Sequence, residues 1–187
     1  MSAELVVDVF VSVDGWAGGD RLPGFFGYFG DDLARWTTAE RRVPETVIMG
    51  RRTYEAFLAL PPAAWSADRE PLMRQDKVVF SRTLQSVVWP NTRIGRDLAT
   101  EIRDLKNAGQ RRLRTWGSMS LAGQLLEAGL VDVLRLMRFP LIAGPSGRQS
   151  AFEGVPSVDL ELIRTLVLDD RIVLEEYRPT GRDIPRA

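Results

Sequence analysis

Three short segments carry glycine, hydroxyl or arginine residues directly after strand-like runs. Residues 50–52 (Gly-Arg-Arg) follow the run 47–49, residues 81–82 (Ser-Arg) follow 77–80, and residues 116–118 (Trp-Gly-Ser) follow 112–115. In an open α/β sheet, ligands bind at the carboxyl ends of the strands, where helix N-termini and arginines attract phosphate groups. Three such ends on one edge predict binding of a ligand with several phosphates, such as a dinucleotide.

Each of these segments also has a simpler interpretation. Gly-Arg-Arg after a strand is often a turn with solvated charges, and Gly-Ser before a helix is often a cap. The sequence contains neither a G-x-G-x-x-G after a strand nor a G-x-x-x-x-G-K-[ST] motif, so a standard Rossmann fingerprint and a P-loop are both unsupported. The order and spacing of the three segments together favour the ligand site.

Composition excludes several kinds of chemistry. The 187 residues include no cysteine and no histidine, which excludes disulfides, thiol nucleophiles, histidine triads and Cys/His zinc sites, and no metal site is predicted. The 25 basic and 25 acidic residues balance, so the net charge gives no reason to expect nucleic acid or a membrane surface as a partner. No apolar run approaches the ~18 residues of a membrane span and the start lacks a signal-peptide pattern, so we expect a cytoplasmic protein.

The chain alternates apolar runs and helical patterns over its first two-thirds. Strands are predicted at 5–11, 46–49, 77–80, 93–94 and 112–116, and helices at 51–60, 96–107 and 119–128, with a further helix capped by Asp31. Residues 15–30 and 61–76 are predicted to be loops. Strands at 131–139, 160–168 and 171–177 follow. We expect one α/β domain over residues 1–187 (core about 5–178, polar tail 179–187), with a mostly parallel sheet and antiparallel C-terminal strands.

Parts of the sequence resemble a known family. Residues 47–55 (Val-Ile-Met-Gly-Arg-Arg-Thr-Tyr-Glu) resemble the cofactor-binding strand–helix corner of dihydrofolate reductase. Residues 117–132, with their Leu-Leu-Glu-Ala-Gly-Leu-Val-Asp block, are more similar to a sister group. That group is the reductase domain of the bifunctional riboflavin-biosynthesis deaminase/reductase, together with its stand-alone relatives. Residues 12–15 and 140–147 fit the same group, so the resemblance extends from about residue 5 to 177.

The resemblance implies a dihydrofolate-reductase-like three-layer α/β/α fold and NADPH as the hydride donor. The residues that it places at the cofactor fall into four groups. They are Gly50, Arg51, Arg52 and Thr53 at the adenosine-side phosphates; Ser81 and Arg82 at the 2′-phosphate or adenine; Trp116, Gly117, Ser118 and Met119 at the pyrophosphate; and Asp14, Gly15 and Trp16 in a mobile loop near the nicotinamide.

Two features of this chain differ from those relatives. Thr115-Trp116 stands where many of them carry consecutive glycines, and an indole there would either stack on the cofactor or crowd it. The zinc deaminase half of the bifunctional protein has no counterpart in this chain. The substrate is therefore left open, as a small pterin-, pyrimidine- or ribitylamine-like compound reduced at a C=N or C=O bond. Relatives are often homodimers, for which the strand-rich last third would supply an interface.

Hydride transfer to such a bond needs a nearby proton donor. Asp32 resembles the active-site acid of dihydrofolate reductases in its position, with Asp31 as the neighbouring candidate. The alternative is a helix cap with no role in catalysis. A buried acid beside a nicotinamide would have a raised pKa, which capping alone does not predict. Phe10, Trp36 and Tyr54 are candidates for substrate binding, although aromatic residues on these elements are often core.

Three functions remain open at this point. The leading one is an NADPH-dependent reductase, and the second is a non-catalytic NADP(H)-binding or sensor protein on the same fold. The third is a structural or partner-binding domain without a nucleotide. Arginines 111, 112 and 114 are interpreted as a solvated face rather than a nucleic-acid patch, and Asp132 as a structural residue.

Overall fold

A computed structural model describes residues 2–20, 23–61, 66–109, 111–182 and 184 of the chain, with only the backbone of residues 66–68. Its helices and strands alternate through most of the chain. In order they are β1 (Leu5–Ser12), β2 (Trp16–Gly19), α1 (Asp31–Glu40), β3 (Glu45–Gly50), α2 (Arg51–Ala59), α3 (Ser66–Arg74), β4 (Asp76–Phe80), β5 (Thr92–Gly95), α4 (Leu98–Ala108), β6 (Arg112–Thr115), α5 (Met119–Glu127), β7 (Val133–Phe139), β8 (Gly147–Ser150), β9 (Leu160–Leu168) and β10 (Ile172–Pro179).

Eight strands form one mixed sheet in the order β5-β4-β3-β6-β1-β7-β10-β9. The six strands from β5 to β7 are parallel, while β10 and β9 join antiparallel at one edge. The predicted α/β class, with a mostly parallel sheet and antiparallel C-terminal strands, is confirmed. A separate two-stranded pair joins β2 to β8.

Helices cover both faces of the sheet. On one face, Ile102 of α4 and Leu125 of α5 pack in the same core cluster as Ile48 of β3. On the other face, α2 packs against Val47 and Met49, the neighbours of Ile48 in β3. The helix α1 packs through Leu33 on Phe139 and Phe10 in a third cluster. Because side chains alternate along a strand, these contacts define a helix–sheet–helix arrangement of three layers.

Two predicted loops contain regular structure. The predicted surface loop at 61–76 contains α3, which the polar sequence and the internal Pro71 did not indicate. The predicted glycine-rich loop contains β2, which depends on pairing with the distant strand β8. The predicted N-cap of α1 was wrong by one residue, since Gly30 holds that position and Asp31 begins the helix. Among the described residues, no helix has the length and apolar character needed to cross a membrane.

A network of buried charges lies on the α1 side of the central strands. Asp8 accepts from Arg135 through both oxygens, at 2.6 and 3.0 Å, and from Arg114 at 3.2 Å. Arg114 also donates to Glu45 at 2.6 and 2.8 Å. Arg112 joins Glu45 to Glu40 of α1, at 2.8 Å in each case. Mutual pairing lets these charges be buried, which an unpaired charge in an apolar core would oppose.

The predicted solvated face at arginines 111–114 was therefore wrong for two of its members. Arg114 is 7% exposed and Arg112 is largely buried, because alternation along β6 directs both toward the acids of β1 and β3. Arg111, at the end of the strand, is exposed and pairs with Asp76 at 2.8 Å. The structural role of Asp132 is supported, since its carboxylate accepts from the backbone N–H of Leu5 at 2.7 Å and pairs with Lys106.

Candidate functional site

The predicted strand ends lie side by side on one edge of the sheet. Strands β4, β3, β6 and β1 are consecutive neighbours and run parallel, so their carboxyl ends meet at the same edge. Gly50 at the end of β3 is opposite Phe80 of β4, and Ile48 is opposite Thr115 of β6. The segments that follow these strands are thus brought together, as the sequence predicted.

The ends of β3 and β6 are in direct contact. A Cβ atom on Gly50 would overlap the Oγ atom of Ser118, and a Cβ atom on Gly117 would lie 3.2 Å from the Cγ2 atom of Thr53. Gly117 and Ser118 have φ angles of 61° and 70°, in the left-handed region that side chains disfavour. This backbone turn directs the chain from β6 into α5 beside the start of α2.

The helices α2 and α5 both begin at this contact without a side-chain cap. Their N-cap residues, Gly50 and Ser118, make no capping hydrogen bond through a side chain. Their first-turn N–H groups therefore point to the strand-end edge with the positive end of the helix dipole. Such a pair of helix starts fits the phosphates of a dinucleotide, so the donors present suit the predicted cofactor.

The arginines beside these helix starts are exposed. Arg51 pairs with Glu55 at 3.1 Å in an i,i+4 arrangement, with the two side chains 44% and 45% exposed. Arg52 and Arg82 are also exposed. Thr53 is half-buried, and Met119 packs partly against the core. An exposed ion pair contributes about 0–1 kcal/mol, so Arg51 can exchange Glu55 for a phosphate at little cost.

Ser81 organises the turn after β4. Its Oγ atom accepts from the backbone N–H groups of Thr83 and Leu84 at 3.2 and 2.9 Å. Arg96 donates to the carbonyl oxygens of Ser81 and Leu84, at 2.6 Å each. Arg96 was not singled out from the sequence, although an arginine directly after the glycine that ends β5 was the available signal. The turn thereby presents Arg82 at the end of the neighbouring strand.

The indole of Trp116 packs against α2. Its ring centroid lies 5.8 Å from that of Phe57, and the guanidinium carbon of Arg114 lies 5.5 Å from the indole centroid. The Nε1 atom is buried and has no hydrogen-bond partner in the described part of the chain. The backbone N–H of Trp116 continues the β3–β6 pairing by donating to the carbonyl oxygen of Ile48 at 2.9 Å. The indole is therefore packed on the helix that begins at this edge of strand ends.

The segment 14–16 is fastened to the segment 143–151. Both oxygens of Asp14 accept backbone N–H groups, from Ala143 at 2.9 Å and Gly144 at 2.8 Å. The Ser12 hydroxyl also donates to Asp14, at 2.6 Å, and these hydrogen bonds lower the pKa of Asp14 to about 2. Gly15 has a φ angle of 85°, and the Trp16 ring lies against Gly147. The carboxylate of Asp14 thus acts as a clamp at the end of β1.

Asp32 lies at the start of α1 in a capping arrangement. Its carboxylate accepts from the backbone N–H of Asp169 at 2.9 Å and pairs with Arg35. These interactions hold the pKa of Asp32 below its ordinary value, with the hydrogen bond from Asp169 as the largest cause that lowers it. A buried proton donor was expected to have a raised pKa. The pKa of Asp32 is lowered instead, which is the direction expected for a capping carboxylate. The catalytic role of Asp32 stays a prediction.

The three aromatic candidates for substrate binding separate into two groups. Phe10 lies 5.2 Å from Phe25 between ring centroids, and Trp36 stacks on the guanidinium of Arg135 at 4.7 Å. Both are partly exposed on the α1 side of the sheet. Tyr54 is only 2% exposed and its hydroxyl accepts from the backbone N–H of Val88 at 2.8 Å. Tyr54 is therefore a core residue, which corrects its assignment as a substrate contact.

The described residues hold no metal cluster, and one cavity among them lies away from this edge. No group of three or more His, Cys, Asp or Glu side chains among these residues is arranged to hold a metal ion. A cavity of about 460 Å³ lies at the opposite end of the sheet, between α4 and the first residues of β3, β4 and β5, near Thr46, Asp76 and Thr92. The arrangement of strand ends, uncapped helices and arginines thus defines a candidate dinucleotide site.

The fold is that of the dihydrofolate-reductase-like proteins. The structure is similar to that of dihydrofolate reductase from Enterococcus faecalis complexed with NADP(H) and RAB-propyl, with a TM-score of 0.65, 16% identity, and coverage of 97% of this chain and 100% of that chain. Residues 3–174 match the model of the RibD C-terminal domain. The chain belongs to the RibD C-terminal domain family.

Two further solved structures share this fold. A putative riboflavin biosynthesis protein from Shewanella sp. PV-4 has a TM-score of 0.69 and 22% identity, over 96% of this chain and 99% of that chain. The diaminohydroxyphosphoribosylaminopyrimidine deaminase/5-amino-6-(5-phosphoribosylamino)uracil reductase of Thermotoga maritima has a TM-score of 0.67 and 15% identity, over 95% of this chain and 57% of that chain. The family and the fold support a reductase in general.

Proposed function

We propose that the protein is a cytoplasmic NADPH-dependent reductase. It would transfer a hydride to the C=N or C=O bond of a small pterin-, pyrimidine- or ribitylamine-like substrate. The observation that carries this proposal is the row of four neighbouring strand ends at which two helices begin without side-chain caps. Membership of the RibD C-terminal domain family supports the same class of reaction.

The cofactor would be held at the ends of β3, β4 and β6. Backbone N–H groups at the starts of α2 and α5 would bind phosphate oxygens, and Arg51, Arg52 and Arg82 would add positive charge around them. The left-handed turn at Gly117 and Ser118 keeps the two helix starts adjacent. NADPH, when bound, supplies the hydride from its nicotinamide ring.

The proton would be delivered through Asp32. Because hydrogen bonds lower the pKa of this carboxyl, it is ionised at neutral pH and does not itself hold a proton. Its proposed role is to orient a water molecule that donates to the reduced atom. Phe10 and Trp36 would line the substrate side with flat apolar surface and limit access of other water.

Binding of the cofactor is the first test. Titration with NADPH and NADH in parallel would follow quenching of tryptophan fluorescence and energy transfer to the nicotinamide. We expect saturable binding with a clear preference for NADPH, because the exposed arginines favour the additional 2′-phosphate. Equal affinity for both nucleotides would contradict the assignment of the arginines, and no binding of either would contradict the proposal itself.

A non-catalytic NADP(H)-binding or sensor protein is the second candidate. One observation favours it, since both carboxylate oxygens of Asp32 are engaged by Asp169 and Arg35. A screen for substrate-dependent oxidation of NADPH at 340 nm would separate the two candidates. Oxidation that requires a substrate supports the reductase, whereas nucleotide binding that changes only stability or assembly supports the sensor.

A further inference from the structure

The cavity at the opposite end of the sheet has the size of a small-molecule site. Its volume is about 460 Å³, and sites for small molecules range over roughly 300–1,000 Å³. The helix α4 covers it with Leu105 and Ala108. The residues assigned above to the cofactor and the substrate are not among those that line it. The cavity is therefore separate from the candidate dinucleotide site.

The floor of the cavity is one face of four neighbouring strands, β5, β4, β3 and β6. Thr46 of β3 is paired with both Asp76 of β4 and Leu113 of β6. Two residues further along β4, Val78 is paired with Arg93 of β5. Paired residues in neighbouring strands direct their side chains to the same face, and so do residues two apart in one strand. All five side chains thus lie on the face that α4 covers.

The Thr46 hydroxyl is a polar group without a partner at this floor. Thr46 is only 8% exposed, and no residue in the described part of the chain forms a hydrogen bond with its hydroxyl. The neighbouring side chains of Leu113 and Val78 are 1% and 2% exposed and offer no polar atom. Buried polar groups are nearly always hydrogen-bonded, so this hydroxyl is available to a molecule inside the cavity.

An ion pair stands at the mouth of the cavity. Asp76 and Arg111 are 2.8 Å apart, and their side chains are 58% and 46% exposed. An exposed ion pair contributes little to stability, so either group can turn to a ligand at little cost. The ammonium of Lys77 is not available in the same way, because it donates to the carbonyl oxygens of Leu72 and Gln75, at 2.7 and 2.6 Å.

A second ion pair joins the floor to α4. Arg93 pairs with Glu101, whose other carboxylate oxygen accepts two backbone N–H groups just before α4, at 2.6 and 3.2 Å. Glu101 keeps those two hydrogen bonds if Arg93 turns to a ligand. With Asp76 and Arg111, the charged groups around the cavity number two of each sign. A ligand that carries both signs would preserve this balance.

The arrangement of these charges fits the head group of an α-amino acid. Its ammonium and carboxylate are attached to one carbon, so Asp76 and Arg111, which are in mutual contact, can hold both. The helix α4 ends at Ala108, beside the cavity, and the negative end of its dipole favours an ammonium group there. An apolar side chain would leave water by packing between Leu105 and Leu113.

We propose that this cavity binds a free α-amino acid with an apolar side chain. Asp76 accepts from its ammonium and Arg111 donates to its carboxylate, while the Thr46 hydroxyl supplies a further hydrogen bond. The side chain of the amino acid lies between the sheet and α4. The proposal goes beyond the reductase function and does not depend on a cofactor.

Isothermal titration calorimetry of the full chain, without nucleotide, tests the head group. The probe is L-leucine, and its controls are 4-methylpentanoate, which lacks the ammonium, and 3-methylbutylamine, which lacks the carboxylate. We expect saturable binding of L-leucine, with each control roughly tenfold weaker because one charge-assisted contact is lost. Equal affinity for either control would overturn the proposal. So would the absence of saturable binding of L-leucine, L-methionine and L-phenylalanine alike.

Variants test the assigned contacts. Asp76→Asn and Arg111→Gln should each raise the Kd for L-leucine by roughly tenfold, and Thr46→Val, which keeps the shape of the side chain, should also raise it. Asp170→Asn and Arg103→Gln are matched controls at exposed positions outside the cavity and should retain the wild-type Kd. Circular dichroism and cooperative melting would verify that each variant folds. An unchanged Kd in Asp76→Asn and Arg111→Gln would overturn the proposal.

Nuclear magnetic resonance locates the bound amino acid without a variant. The backbone amide signals of Val78 and Leu113 should shift when L-leucine is added, whereas those of Gly50 and Gly117 should not. Shifts confined to Gly50 and Gly117 would place the amino acid at the other end of the sheet and overturn the proposal. Failure to bind NADPH would leave all these results unchanged, so the two proposals fail separately.

Discussion

Asp32 and Asp169 cap each other across the chain. The backbone N–H of Asp169 donates to Asp32 Oδ2 at 2.9 Å, and the backbone N–H of Asp32 donates to Asp169 Oδ1 at 2.8 Å. The backbone N–H of Leu33 also donates to the carboxylate of Asp169, at 3.3 Å. Asp169 lies in the turn between β9 and β10. The first turn of α1 is therefore fixed by the C-terminal hairpin, because its own N-cap is a glycine.

Asp32→Asn tests the proposed proton delivery. An asparagine retains an acceptor for the backbone N–H of Asp169 but removes the negative charge that would orient a donating water. We expect turnover to fall by roughly 10²–10⁴-fold, with NADPH affinity unchanged. Steady-state kinetics on the substrate found by the screen would measure this. Asp104→Asn, on the exposed surface of α4, is the matched control, and unchanged turnover in Asp32→Asn would remove Asp32 from catalysis.

Arg52→Ala tests recognition of the cofactor phosphates. Loss of a charge-assisted contact should weaken NADPH binding by about 1–3 kcal/mol and NADH binding by less, if Arg52 contacts the 2′-phosphate. Arg51→Ala should behave similarly. Arg103→Ala, on the exposed side of α4, is the control that lowers net charge equally. Equal losses for NADPH and NADH would show that the arginines do not read the 2′-phosphate.

Gly50→Ala tests the close approach of the two helix starts. Its new Cβ atom would overlap Ser118 Oγ, so we expect a loss of about 1–3 kcal/mol in the free energy of unfolding. Ser118→Gly removes the overlapping hydroxyl and suits the left-handed φ of 70°. The double variant should thus recover most of the lost stability. Urea unfolding without nucleotide measures all three, and additive losses in the double variant would refute the contact.

The lowered pKa of Asp14 predicts that the stability of the folded protein falls in acid. That pKa is lowered from 3.8 to about 2, so the folded protein binds a proton there less readily than the unfolded chain. The stabilisation is complete above pH 3.8 and is lost as the pH falls toward about 2. Asp14→Asn should flatten stability in this range, whereas Glu153→Gln, at an exposed position, should not. A wild type and Asp14→Asn with parallel acid-unfolding curves would contradict the clamp.

Asp8→Asn tests the buried charge network. Asp8 is 7% exposed, and its pKa is lowered by Arg135 and Arg114 against the opposing effect of burial. Its neutralisation leaves buried guanidinium groups without full compensation, so we expect a loss of about 3–5 kcal/mol in unfolding free energy. Asp104→Asn, on exposed α4 surface, serves as control. A loss below about 1 kcal/mol would mean that water reaches the arginines.

Much of the sheet was predictable because local pattern and position agree. The apolar run of β1 and the leucine spacing of α5 indicate their elements directly, and the strand–glycine–helix order locates the edge where the strand ends meet. By contrast, β2 depends on pairing with β8, more than a hundred residues away, and no local signal indicates it. The helix α3 includes a proline and few apolar residues, so its pattern resembles a loop.

The charges were harder to place than the strands. Arg112 and Arg114 belong to an arginine-rich segment that is typical of a solvated surface, and their burial depends on acids contributed by distant strands. Capping of α1 by Asp169 has the same origin, since the cap lies 137 residues from the helix start. Sequence patterns report local geometry, whereas these roles depend on which strands become neighbours.

The central strand β1 has a consequence for how the chain folds. Arg114 and Arg135, the partners of Asp8, follow it in the sequence by 106 and 127 residues. The strand β1 is therefore buried only after β6 and β7, which lie far along the chain, have paired with it. Such non-local pairing slows folding and leaves an apolar, β-prone segment open to aggregation. A charge within such a segment opposes self-association. We therefore expect Asp8 to oppose aggregation of the unfolded chain, in addition to anchoring two arginines in the native one.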